Sequence, residues 1–288
     1  MTRQAKARAV TEALKKIVKD LPGQSFNELR VVIALERAVA RLENHPKLKA
    51  HLIFKGGFVL LKTIETHRFT RDVDALASEI SKVDVPLYVL NALSQDLGDG
   101  VWFGDIQVKD LIDQGAYGGI RFDCAYQLGD PPQEIEKIKK LSRVHIDIGF
   151  GDELNEPARK DEMSSIISGF DPISWKVYPF ETILAEKLET IYSRGSANSR
   201  AKDVYDLVLL LKHCENQQHL RDSIGATFKT RGTPIPNSFF ESAKKLDLRQ
   251  LRVSWPGIQL GHQESFDRYW QELLECLKEL DFHFSSKS

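Results

Sequence analysis

A chain of 288 residues is long enough to bury a substantial core, as one large domain or two modest ones. Its 40 Lys and Arg are matched by 41 Asp and Glu, so no global basic field marks it for nucleic acid, and any RNA contact must use a local patch. Three scattered cysteines, Cys124, Cys214 and Cys276, make neither a disulfide framework nor a metal-binding spacing, which fits a reducing compartment.

Residues 5–19 place Val10, Ala13, Leu14, Ile17 and Val18 on one helical face, and LPGQ at 21–24 breaks that helix. This amino-terminal stretch is charged and amphipathic and lacks the apolar centre of a signal peptide. No apolar run approaches membrane-spanning length, so a cytoplasmic protein with no membrane partner is expected. Ser25 and Glu28 have capping-box spacing and predict a second helix to about Glu43, with Leu29, Ile33, Val39 and Leu42 as its stripe and His45 and Pro46 as its end.

Residues 52–76, LIFKGGFVLLKTIETHRFTRDVDAL, read in three beats. Leu52–Phe54 is a short apolar run that stops at Lys55, Gly56 and Gly57. Phe58, Leu61 and Ile64 then suit a short helix. From Arg68 to Leu76 the pattern alternates, which puts Asp72 and Asp74 on one strand face and Val73 on the other. A helix is expected over 84–97, and a strand that turns loop-like over 101–112. Residues 117–128 and 142–152 alternate and are expected to pair as antiparallel strands, with Val144, Ile146 and Ile148 facing one way and His145 and Asp147 the other. Residues 161–179 read as a crossing between two halves. Helices follow over 180–194, 201–214 and 264–280, with a TRGTPIPNS linker before the last. The expected fold is α+β: a mixed sheet flanked by helices over residues 1–175, then an all-helical part over 176–288 that completes the active site.

Two carboxylates two apart on a strand point the same way and can share a divalent cation. Asp72 and Asp74 are that pair, and Asp147 on a neighbouring strand is the candidate third ligand. The competing reading is an ordinary ion-pair cluster with Arg68 and Arg71. Gly56 and Gly57 at a helix start offer backbone N–H groups beside the positive end of the helix dipole, a place for phosphate. The plain alternative is a tight strand-to-helix turn. Lys55 and Arg68 either reach phosphate or serve structure, as a strand end and a counter-charge. A phosphate cradle followed by a carboxylate pair is what magnesium-dependent phosphoryl chemistry requires, with Mg2+ or Mn2+ as the cofactor. The eight histidines show no paired ligand spacing, so none is assigned to a metal.

The order GG, helix, DxD strand resembles the nucleotidyltransferase fold of the polymerase-beta type. The fuller string FKGGFVLLK…RFTRDVDAL, with AEKL…RAKDVYDL further on, resembles the AbiEii/AbiGii toxin nucleotidyltransferases over about residues 50–212. The resemblance implies that Asp147 completes the metal site, that Lys187 holds the triphosphate and that Asp203 orients the base or an acceptor hydroxyl, with Asp206 a second candidate. Spacing alone reads Lys187 as a snorkelling surface lysine and Asp203 as a first-turn acid that complements the helix dipole. Phe58 departs from the Ser or Thr that many transferases of this fold carry after the glycines, so backbone amides must hold the phosphate there. The implied activity is transfer of a nucleoside monophosphate from an NTP to an acceptor hydroxyl. The implied acceptor is the tRNA 3′ end, and the implied partner an AbiEi-like antitoxin in a type IV-like phage-defence system. NTP-dependent modification or phosphorylation of a protein, or a degenerate nucleotide-binding module, are the alternatives.

Overall fold

The structure is a computed structural model that describes residues 2–20, 25–64, 66, 68–111, 118–151, 154, 156–258 and 264–285. The LPGQ break and the ends of the expected strands at Ile112, Tyr117 and Asp152 lie outside the described residues. Two compact units are present. The first comprises Met1–Glu65, Thr70–Asp152 and Arg159–Val177, and the second Thr66–Phe69, Glu153–Ala158 and Tyr178–Ser288.

In the first unit, α1 (Arg3–Asp20) buries Ala7, Val10 and Leu14. The capping box of Ser25 and Glu28 forms as expected and starts α2 (Phe26–Asn44). This helix is buried far beyond one stripe, because α1, α3 (Pro46–His51), α5 (Val85–Ser94) and several strands all pack on it. Two of its buried charges, Glu36 and Arg41, have close partners, which offsets the cost of removing them from water. Glu36 accepts from Lys62 Nζ at 2.7 Å and Ser165 Oγ at 2.5 Å, and Arg41 donates to Asp99 at 2.6 and 3.1 Å. Pro46 does not merely end α2. It opens α3 at the first helical position, where a missing N–H costs nothing.

A strand, helix and strand follow: β1 (Leu52–Lys55), α4 (Gly56–Thr63) and β2 (Asp72–Ala77). The remaining elements of this unit are β3 (Val101–Leu111), β4 (Gly119–Leu128), α6 (Ile135–Ile138), β5 (Arg143–Phe150), β6 (Arg159–Met163) and β7 (Ile173–Val177). The seven strands form one mixed sheet in the order β3-β4-β5-β2-β1-β7-β6. As expected, β4 and β5 are antiparallel; β2 and β5 run parallel.

Three local expectations are corrected. The strand holding the acids begins at Asp72 rather than Arg68, and the segment 66–69 belongs to the second unit. Strand β3 stays a strand to Leu111 through a bulge between Gly104 and Gln107. The expected crossing over 161–179 contains most of β6 and all of β7, and β7 lies parallel to β1. Phe58 finds its reason in this core. Fully buried, it meets Trp175 edge-on at 6.1 Å, and Phe54 meets the same indole at 5.5 Å. Packing therefore accounts for an aromatic ring there.

The second unit is helical: α7 (Phe180–Arg194), α8 (Ala201–His213), α9 (Gln217–Thr230), α10 (Phe239–Ala243), α11 (Arg249–Ser254) and α12 (Phe266–Ser285). Helix α7 packs on α8 and α9, and α12 on α8 and α10. Ile183, Leu184, Leu188 and Ile191 form the buried stripe of α7, as their spacing predicts. Tyr205 is buried against Tyr269 with ring centroids 5.1 Å apart, a packing role. No helix among the described residues is long and apolar enough to cross a membrane.

Candidate functional site

Strand alternation and register together build the acidic face of the first unit. Asp72 and Asp74 project from one side of β2, and Val73 is buried on the other. Directly opposed residues on neighbouring strands share a face. One row across the sheet therefore reads Lys55, Asp74, Asp147, Arg121, Lys109, and the next Asp72, His145, Asp123. The buried row between them is Val73, Ile146 and Phe122.

Asp74 and Asp147 are like charges directly opposite each other, an unfavourable pairing in isolation. Arg121 offsets it with a two-point fork on Asp147, Nε to Oδ1 at 2.8 Å and NH2 to Oδ2 at 2.6 Å. In the second row His145 Nδ1 lies 2.8 Å from Asp72 Oδ1, while its Nε2 lies 3.7 Å from Asp123 Oδ1. Asp123 in turn accepts from Arg143 Nε at 2.6 Å. The spacing of a single strand shows that His145 and Asp147 share a face. It does not show that His145 meets Asp72, or that Arg121 meets Asp147, because those meetings depend on register between strands.

Gly56 sets the helix start against this face. Its φ is +75°, a left-handed conformation that glycine adopts without cost. A Cβ there would lie 2.2 Å from Asp74 Oδ2 and 2.9 Å from Asp74 Cγ. The Asp74 carboxylate thus occupies the space that a side chain at Gly56 would need, beside the first-turn amides of α4. Gly57 and Phe58 follow inside that first turn, with Lys55 at the N-cap.

A divalent cation of the magnesium type takes a few carboxylate oxygens and completes its shell with phosphate and water. Asp72 and Asp74 fit that demand: both are hard oxygen donors on one face, and the Asp72 side chain is 30% exposed. Asp147 fits only after a change of partner, since Arg121 holds both of its oxygens. Among the described residues no three His, Cys, Asp or Glu side chains converge as a finished cation cage.

In the second unit the residues singled out from AEKL…RAKDVYDL meet in a buried network. Lys187 on α7 is 7% exposed rather than a surface lysine. Its Nζ lies 2.7 Å from Asp203 Oδ1 and 2.8 Å from Asp206 Oδ2. Asp203 and Asp206 are three apart on α8, which puts both on one face, and neither is exposed. Arg200 Nε donates to Asp203 at 2.6 Å. Arg68 joins this network, with Nε and NH2 on Asp206 at 2.8 and 3.0 Å. Burial works against the Lys187 ammonium, but Asp203 and Asp206 outweigh it and hold its pKa above the ordinary lysine value. Burial alone would raise both aspartates; the facing cations outweigh it and hold them below the usual carboxylate range.

The family model described as "Nucleotidyl transferase AbiEii toxin, Type IV TA system" matches residues 37–276. Among solved structures, JHP933 from Helicobacter pylori superposes with a TM-score of 0.55 at 17% identity, covering 90% of this chain and 93% of that one. MenT4, a nucleotidyltransferase toxin from Mycobacterium tuberculosis, gives a TM-score of 0.55 at 17% identity, covering 97% of this chain and 89% of that one. At that identity the structures show a shared fold. Among curated proteins the sequence has no match. The family match extends over most of the chain, and the chain belongs to the AbiEii toxin nucleotidyltransferase family.

Proposed function

We propose, proceeding from that membership, that this nucleotidyltransferase moves a nucleoside monophosphate from an NTP to an acceptor hydroxyl and releases pyrophosphate, with the tRNA 3′ end as acceptor. The observation that carries the reading is the placement of Asp72 and Asp74 on one strand face, with Asp74 packed against the Gly56 helix start. Asp72 and Asp74 would hold the divalent cation, joined by Asp147 when it leaves Arg121. The cation, Mg2+ or Mn2+, supplies Lewis-acid activation of the attacking oxygen and charge neutralisation at the leaving group.

The chain's own residues bind and orient. The amides of Gly56 and Gly57 face phosphate at the positive end of α4, and Lys55 stands at its N-cap. His145 holds Asp72 in one orientation from the neighbouring strand. Lys187 serves phosphate and Asp203 the base or acceptor hydroxyl, as the resemblance implies. Arg68, which its sequence leaves open as a phosphate ligand or a counter-charge, is assigned here to fixing Asp206 within that network. The family's description as toxins of a type IV toxin–antitoxin system supports an AbiEi-like antitoxin as the neutralising partner.

The test is to incubate the protein with Mg2+, total tRNA and each α-labelled NTP in turn. Label is expected on intact tRNA and at its 3′ end, sensitive to 3′ exonuclease. Label on protein instead of RNA would overturn the acceptor assignment.

A further inference from the structure

We propose that Arg121 trades partners during the reaction cycle: it holds Asp147 while the acidic face carries no cation, and moves to substrate phosphate when a divalent cation takes Asp147. The inference rests on the transferase reading above.

Register places Arg121 in the same row as Asp147, Asp74 and Lys55, on the face that carries the acids. Its guanidinium occupies both oxygens of the one acid that metal binding would need to recruit. Arg121 and a cation therefore compete for Asp147. The pair is open to exchange, because its side chains are 36% and 17% exposed and solvent and a cation can reach them. The Lys187 network in the second unit is the contrast, with its aspartates wholly buried.

Arg121 also feels Asp72 and Asp74. The two hydrogen bonds to Asp147 and the attraction of all three acids hold it over this face. A cation placed among those acids would cancel much of that attraction and release the side chain. The released group is a planar fork that suits phosphate oxygens as well as it suits a carboxylate. The partner exchange would thus tie recruitment of the third acid to arrival of a phosphate-bearing substrate.

The test is calorimetric titration of Mn2+ into wild type, Arg121→Gln, Asp147→Asn and the double variant, paired with KM measurements for NTP. Arg121→Gln removes the competitor, so Mn2+ should bind roughly five- to tenfold tighter. The KM for NTP should rise on the order of tenfold, because a phosphate contact is lost. In the Asp147→Asn background the Arg121 change should tighten Mn2+ by less than about twofold, since the shared partner is gone and only the weaker attraction of Arg121 to Asp72 and Asp74 is lost. Equal or weaker Mn2+ binding by Arg121→Gln, or an unchanged KM, would overturn the exchange. Should Arg121→Gln fail to fold by circular dichroism, Arg121→Lys carries the test. A single-point ammonium in place of the fork should tighten Mn2+ about two- to threefold. Wild type that takes up no Mn2+, with or without NTP, would remove the metal-dependent reading itself and the exchange with it. Intact wild-type binding that Arg121→Gln leaves unchanged would remove the exchange alone.

Discussion

Gly56→Ala probes the junction of strand, helix and acid most sharply. The φ of +75° is one cost, since a side chain in the left-handed region loses about 1–2 kcal/mol. The new methyl is a second, because it would lie 2.2 Å from Asp74 Oδ2, 2.9 Å from Cγ and 3.1 Å from Cβ. Rotating the carboxylate alone does not relieve a contact that extends to Cβ, so the side chain must leave its rotamer, at about 0.5–1.5 kcal/mol. Together these give roughly 2–3 kcal/mol, or a Tm lower by about 3–5 °C for a protein of this size. Activity should fall much further, by about 100-fold, because a displacement near 1 Å at a reacting centre costs that much. Gly169→Ala is the control: its φ is +91° but nothing lies within 4 Å of its Cβ position, so it carries the strain without the clash. It should lower Tm by a few degrees and leave activity alone. The assay is scanning fluorimetry beside nucleotide transfer at 25 °C. Gly56→Ala with full activity, whatever its Tm, would refute the claim that Asp74 works from its position against the helix start.

Two further predictions concern buried charge. Lys187→Met takes away the cation shared by two buried aspartates, leaving Asp203 with Arg200 and Asp206 with Arg68, and should cost about 3 kcal/mol in urea denaturation at pH 7; a loss under 1 kcal/mol would deny the network its structural role. Asp203 and Asp206 have depressed pKa values, so their stabilisation is present above the ordinary carboxylate range and lost as pH falls through their folded values. The acid-unfolding limb should therefore be shallower in Asp206→Asn than in wild type. Glu43 has the opposite sign: burial pushes its carboxyl up to about 7, against a pull downward from Lys49 and Lys176. Stability tied to it is greatest below pH 4.5, declines between 4.5 and 7, and is wholly lost above. Glu43→Gln should thus stabilise by up to about 3 kcal/mol at pH 8 and not at pH 4, read from denaturation at both pH values.

Local signals made much of this architecture legible. The glycines of 56–57 and the alternation through Asp72, Val73 and Asp74 mark a turn, a helix and a strand without any tertiary knowledge, and the Ser25 capping box is equally self-contained. What escaped has a common cause. Strand β6, RKDEM, lies at one edge of the sheet and the polar end of β3 at the other, where exposure removes the apolar alternation that announces a strand. Pro46 reads as a terminator from one side and a first-turn residue from the other. At the site, the face of each acid could be read, but its partner could not. Arg121 and Asp147 stand 26 positions apart, and Arg68 and Asp206 stand 138 apart. Burial of Lys187 escapes for the same reason, because a helical lysine goes inside only where acids from another segment await it.

The most direct test of the account compares α- and γ-labelled NTP in the same reaction, with Mg2+ present or chelated, for wild type and Asp74→Asn. The account predicts that label from the α position reaches the acceptor, that γ label leaves as pyrophosphate, and that both events vanish with chelation and in the variant. Transfer of γ label to the acceptor, or α-label transfer that persists in Asp74→Asn, would contradict it.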